Sequence, residues 1–312
     1  MPLRFSVLAS GSSGNACLLR VGDRGVLIDL GIGPRLLAQR LSAVDAGWRH
    51  VQAVFLTHTH RDHWKEKSLR EVFRRQLPLY CHPYHQDYLA SASSVFAKMR
   101  SKGLVQSYHE GLDIVLSTRL RARPLAIRHD DRATFGFRFD VAASQGQAAR
   151  AVAYLADLGC WDLDLVRALR EIDLLAVEFN HDVAMEESSG RSPRLVERVL
   201  GDNGHLSNAQ AAELLSDVLR HSLPGRLQHL VQLHLSRECN RPDLALEAAR
   251  EIRRRHGARF EIHTAFQFHV GPNLVLQGPP RDNPYHNGCW TKADAESPQL
   301  SPVQQRLLPG CE

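Results

Sequence analysis

Short apolar runs separated by glycine-rich turns open the chain. Residues 3–9, 16–20 and 25–29 read as strands, and Val51 to Leu56 as a further buried one. Helical spacing follows over about 34–42 and 64–76. Strand patterns return near 78–81, 113–118, 120–128, 134–141, 150–156 and 172–178. Ser192 before Pro193 predicts a helix start, with serine as N-cap and proline in the first turn. Ser207 and Gln210 have the spacing of a capping box for a helix running to about His221. Leu227 to Leu233 reads as a buried strand, and a helix from about Pro242 to His256 stops at Gly257. Strands dominate each half, with helices grouped toward its end. That order predicts an α+β protein with packed sheets and outer helices rather than a regular doubly wound sheet.

The folded part is expected to span residues 1–278. Residues 279–312 lack apolar periodicity and are rich in proline, which predicts an irregular or disordered tail. No apolar run is long enough to cross a bilayer, and the N-terminus has no signal-peptide core, so a cytoplasmic protein is expected. Cys17, Cys81, Cys160, Cys239, Cys289 and Cys311 are dispersed without a C-x-x-C pair, which fits reduced, structural thiols. A net charge of +5 is compatible with a polyanionic partner without requiring one. Arg253, Arg254 and Arg255 fall on a predicted helix, where they read as a solvated face.

The chemistry is concentrated in Thr57-His58-Thr59-His60-Arg61-Asp62-His63, directly after Val54-Phe55-Leu56. Imidazole nitrogen and carboxylate oxygen suit zinc, manganese or iron, and a loop leaving a strand can turn several ligands toward one point. A two-metal site needs about six or seven protein ligands, so others must come from elsewhere. His129, Asp157 and His234 each end an apolar strand pattern and are the candidates.

These residues resemble the metallo-β-lactamase fold superfamily. THTHRDH is similar to its His-x-His-x-Asp-His motif, and His129, Asp157 and His234 match its later ligand motifs in order. Ser10-Gly11-Ser12-Ser13-Gly14-Asn15, Leu27-Ile28-Asp29, Glu178-Phe179-Asn180-His181-Asp182, Gly204-His205-Leu206-Ser207-Asn208 and the segment from His234 to Asn240 resemble the YycJ/WalJ-like branch. The resemblance covers about residues 3–272. It implies a four-layer αβ/βα sandwich of two mixed sheets with outer helices, and two divalent ions, zinc or manganese. His58, His60 and His129 would hold the first, Asp62, His63 and His234 the second, with Asp157 bridging. Asp29 would accept the other ring proton of a ligand histidine. Asp62, Glu178 and His205 would act in the chemistry, Glu178 orienting His205 as proton donor. His181 and Asp182 would contact substrate or support this pair. The family's Thr-Asp-Thr-Gly stands here as Ala156-Asp157-Leu158-Gly159, which keeps the carboxylate and drops two hydroxyls.

The implied activity is a phosphodiesterase on nucleic acid, a 5′-to-3′ exonuclease on DNA with RNA also admissible, using a metal-bridging hydroxide as nucleophile. The intervals flanking His205 are too short for the extra domain of RNase J-type enzymes, and there is no long arm of the tRNase Z kind. The alternative is a small-molecule hydrolase of the same fold, acting on a cyclic phosphodiester, lactone or thioester. A non-enzymatic metal-stabilised module is disfavoured by the complete ligand set.

Overall fold

The computed structural model describes residues 2–130, 133–144 and 148–276. The expected tail at 279–312 lies outside them. In the first half, β1 (Leu3–Ala9), β2 (Ala16–Val21) and β3 (Arg24–Ile28) precede α1 (Pro34–Ser42), β4 (Val51–Phe55) and α2 (Glu66–Arg74). Next come β5 (Leu79–Cys81), α3 (Pro83–Ala92), α4 (Ser94–Ser101) and β6 (Val105–Ser107). The second half runs through β7 (Ile114–Ser117), β8 (Leu120–Ile127), β9 (Thr134–Val141), β10 (Arg150–Leu155), α5 (Leu163–Ala168) and β11 (Leu174–Glu178). It continues with α6 (Val183–Glu187), α7 (Pro193–Leu200), α8 (Asn208–Arg220), β12 (His229–Leu233), α9 (Pro242–Arg255), β13 (Glu261–Thr264) and β14 (Asn273–Leu276).

Two seven-stranded mixed sheets result, in the orders β14-β1-β2-β3-β4-β5-β6 and β13-β12-β11-β10-β9-β8-β7. Each is antiparallel on one side and parallel on the other, from β3 to β6 and from β10 to β13. Phe5, Val7 and Phe55 of the first sheet pack against Phe137, Phe139 and Tyr154 of the second. Phe55 meets Phe137 edge-on, with ring centres 5.2 Å apart. Helices α1 to α4 cover the other face of the first sheet, and α5, α8 and α9 that of the second. The molecule is therefore the expected four-layer α+β sandwich. Burial on both faces explains why β10 and β11 are unbroken apolar runs rather than alternating ones.

The helix signals behave unequally. Ser207 and Gln210 cap α8 reciprocally. Ser192 occupies the N-cap of α7, but its hydroxyl makes no capping bond. Cys17, Cys81, Cys160 and Cys239 are free thiols. Arg254 and Arg255 pair with Glu251 and Glu213 on the surface, and Arg253 reaches the Phe260 carbonyl. Among the described residues no helix is long and apolar enough to cross a membrane.

Candidate metal centre

The candidate residues gather at one end of the sandwich, where β3, β4, β8, β10, β11 and β12 finish. Asp29 and His234 directly follow a strand, Asp157 follows one after Ala156, and all three adopt left-handed backbone, with φ of 65°, 53° and 56° for Asp29, His234 and Asp157. Few residues other than glycine do so. Here the conformation turns the side chain sharply off the strand axis toward a common point.

Thr57 and Asp29 anchor the loop that carries the histidines. Asp29 accepts from the Thr57 amide at 3.0 Å and from the Thr57 hydroxyl. It also takes the Nδ1 proton of His63 at 2.7 Å, which leaves Nε2 to face the centre. His58, His60 and His129 form one group. Nδ1 of His129 donates to the Gly204 carbonyl at 2.8 Å, and its Nε2 lies 3.3 Å from His60 Nδ1. That separation matches the ligand-to-ligand edge of a tetrahedron with bonds of about 2.0–2.1 Å. His58 contributes Nε2, its Nδ1 being beside the Thr57 hydroxyl at 3.0 Å.

Asp62, His63, Asp157 and His234 form the second group. Asp62 Oδ2 lies 3.5 Å from both His63 Nε2 and His234 Nε2, and Asn15 Nδ2 donates to it at 3.1 Å. Asp157 stands between the groups: Oδ2 is 2.6 Å from His63 Nε2 and 3.6 Å from His58 Nε2, while Oδ1 faces His234 Nδ1 at 3.0 Å.

Glu178, at the end of β11, is fully buried. Its Oε1 accepts the Leu158 and Leu206 amides, and Oε2 lies 3.0 Å from His205 Nδ1. His205 Nδ1 is also 3.5 Å from Asp157 Oδ1, which places this pair against the metal candidates.

Electrostatics follow from four buried or nearly buried carboxylates in one place. Burial alone would raise the Asp62 and Asp157 carboxyls; His63 with His234 at Asp62, and His234 with His63 at Asp157, reverse this and hold both below the usual range. Burial likewise opposes ionisation of Glu178, but His205 brings it down to about 2. Burial disfavours charge on His234 and His63, yet their carboxylate neighbours raise both, His234 to about 10. Two imidazolium groups thus supply positive charge that this anionic pocket requires. For His58, burial and the neighbouring His63 charge depress the pKa well below its ordinary value, leaving a neutral ring.

The residues fit a metal. His58 Nε2 and His234 Nε2 are buried without a hydrogen-bond partner, an arrangement that costs stability unless something fills the role. The donor set of imidazole and carboxylate suits zinc or manganese.

Four supporting residues carry roles that the sequence did not assign. Asp130, left-handed with φ of 47°, pairs with His60 Nε2 at 2.9 Å and is itself held by the Arg198 guanidinium. Asn15, Thr57 and Asn180 tie Asp62, Asp29 and the His234 carbonyl respectively. Asp130 had a signal as a carboxylate adjacent to a proposed ligand, and Asn15, Thr57 and Asn180 lay within the quoted motifs without a role of their own. Of the two roles expected for His181 and Asp182, contact with substrate or support of the Glu178–His205 pair, the second suits His181 better, since its carbonyl accepts the Asn208 amide just beyond His205 at 2.8 Å. His181 is fully buried with neither ring nitrogen bonded, and Asp182 caps α6 through the Met185 amide.

A two-sheet sandwich with histidines and carboxylates gathered at its strand ends defines a metal-dependent hydrolase. The family model described as the beta-lactamase superfamily domain matches residues 24–223. The chain belongs to that family. The exodeoxyribonuclease WalJ of Streptococcus pneumoniae serotype 2 (strain D39) is 27% identical over 248 residues, covering 78% of this chain and 85% of its own. The exodeoxyribonuclease YycJ of Bacillus anthracis is 26% identical over 275 residues, covering 86% and 95%. In fold the chain is similar to the metallo-β-lactamase fold protein YhfI from Bacillus subtilis, with a TM-score of 0.59 at 15% identity, covering 87% of this chain and 99% of that one.

Proposed function

We propose that the chain is a dinuclear metal-dependent phosphodiesterase acting on nucleic acid, a 5′-to-3′ exonuclease on DNA that also admits RNA. His58, His60 and His129 would hold one divalent ion, and Asp62, His63 and His234 the other, with Asp157 shared. Two such ions, when bound, lower the pKa of water and clamp the oxygens of an in-line phosphoryl displacement. Asp29 fixes the ring of His63. Asp62, tethered by Asn15, orients the attacking water. Glu178 holds Nδ1 of His205 and leaves its Nε2 to give a proton to the departing sugar oxygen.

The observation that carries the reading is the 3.0 Å contact of His205 with Glu178, next to Asp157. A pair devoted to leaving-group protonation serves a phosphodiester whose alkoxide is a poor leaving group. The names of the WalJ and YycJ relatives and the net positive charge support nucleic acid as substrate.

The test is incubation of metal-quantified protein with 5′-phosphorylated single- and double-stranded DNA and RNA, alongside a small phosphodiester. Stepwise shortening from the 5′ end is expected, fastest on DNA. Turnover confined to the small phosphodiester would favour a small-molecule hydrolase instead. His205→Ala should slow single-turnover cleavage about 10²–10⁴-fold while metal content is retained, and an unchanged rate would remove His205 from the chemistry.

A further inference from the structure

The segment Ala265-Phe266-Gln267-Phe268 has its polarity inverted. The amide of Gln267 is buried, whereas the Phe266 and Phe268 residues on either side of it are 42% and 63% exposed. The segment is not slack. Gln267 Oε1 accepts the Ser13 amide at 2.8 Å, and its Nε2 donates to the Gly14 carbonyl at 2.8 Å. Its own carbonyl accepts from the buried Arg40 guanidinium at 3.1 Å. A Cβ on Gly11 would stand 2.8 Å from Gln267 Oε1, so glycine there lets the two loops close on each other. Two aromatic rings are thus held outward on a braced backbone, although exposing them opposes the hydrophobic effect.

The same braces reach the metal centre. Asn15, at the far end of the glycine-rich loop, holds Asp62, and Ser10 at its near end accepts the amide of His234 at 2.8 Å. A cavity of about 310 Å³ adjoins Ser10 and is lined also by Leu235, Arg237, Phe266 and Phe268 among others. Leu235 comes directly after the ligand candidate His234, and Arg237 two residues later. The Arg237 guanidinium lies over the Phe268 ring, 5.1 Å from its centre.

We propose that Phe266, Phe268 and Arg237 form a platform on which an unpaired base of the substrate strand stacks while its backbone enters the metal centre. The proposal rests on the nucleic-acid reading above and adds how the strand is gripped. Every base has a π-face, so stacking tolerates sequence, as an exonuclease moving along a strand requires. The cation beside the rings suits the phosphate that accompanies each base. The Arg237 guanidinium over the ring, and the presence in the same cavity wall of Leu235, the residue after His234, favour a strand over a protein partner.

The full-length chain is tested in two ways. Chelator-treated protein is titrated into an oligonucleotide carrying 2-aminopurine in a single-stranded 5′ tail. Metal-loaded protein is assayed for kcat/KM on the unlabelled strand and on a small phosphodiester. The wild type should quench the fluorophore. Phe268→Leu, apolar but without a π-face, should bind at least about fivefold more weakly. It should also lower the ratio of the two kcat/KM values by a similar factor, and Phe268→Tyr should restore both. Quenching and ratio unchanged in Phe268→Leu, with the strand still degraded, would overturn the platform alone and leave the patch to another partner. Equal losses on both substrates would make Phe268 merely structural and overturn it too. A wild type that degrades no oligonucleotide would remove the nuclease reading and the platform with it.

Discussion

Asp29 accepts the Nδ1 proton of His63 across 2.7 Å at the floor of the site, where both side chains are completely buried. The contact sets which nitrogen of His63 faces Asp62 and Asp157, and a carboxylate behind an imidazole also makes it a stronger ligand. Asn tolerates left-handed backbone, so Asp29→Asn tests the charge with little backbone penalty. The expected outcome is metal affinity lower by about 10–100-fold, read by competition with a chromophoric chelator. Unchanged affinity would reduce Asp29 to an anchor for Thr57.

Gly31 holds the strand that precedes it against the histidine loop. A Cβ there would come within 1.7 Å of the Asp62 carbonyl and 2.4 Å of the Asn15 amide, two backbone groups that bond each other at 2.7 Å. Neither can step aside cheaply. Gly31→Ala should therefore destabilise by at least about 1–3 kcal/mol and lower metal content together, measured by urea unfolding with and without chelator and by elemental analysis. Wild-type stability in the chelator-treated variant would show that the loop yields.

What was legible in the sequence is what depends on local pattern. β10 and β12 announce themselves as apolar runs ending in Asp157 and His234, and α8 by its capping pair. Missed elements lack that contrast. Helix α3 buries only His85 and Leu89, so no apolar stripe marks it. β14 is half-buried and exists because it pairs with β1, from the opposite end of the described chain. The candidate ligands were readable because each sits at a strand end. Asn15, Asn180 and the Gly204 carbonyl were not, since their roles arise from contacts between distant segments.

Asp130 belongs to this second kind, and its contribution can be isolated. It pairs with His60 Nε2 at 2.9 Å, leaving Nδ1 toward His129, and two Arg198 nitrogens hold it. Both partners of the His60 pair are partly exposed, so its direct effect on stability should be below about 1 kcal/mol. Its effect on ring orientation should be larger. Asp130→Asn, which tolerates the left-handed backbone at this position, is expected to weaken one metal position by about tenfold or more while Tm of the chelator-treated protein hardly changes. Loss of both metals at once, or of Tm without metal loss, would assign Asp130 to packing instead.

His63 and His234 make metal loading and protonation oppose each other. Burial pushes both imidazoles toward the neutral form, but the surrounding carboxylates outweigh it and raise both, His234 to about 10. A folded pKa above the unfolded value of about 6.5 means protonation stabilises the metal-free protein. That contribution is fully present below about pH 6.5 and is lost as pH rises toward about 10 for His234. A metal needs the same nitrogens unprotonated, so binding must expel the protons and tighten as pH rises. Calorimetric titration of metal into chelator-treated, dialysed protein near pH 7, repeated in buffers of different ionisation enthalpy, should show release of about two protons when both sites fill. Tm of the metal-free protein should fall between about pH 7 and 10, whereas at fixed free metal the gain in Tm on loading should grow over the same interval. Zero proton release near pH 7 would mean that both imidazoles are already neutral and that the carboxylates are balanced by some other cation.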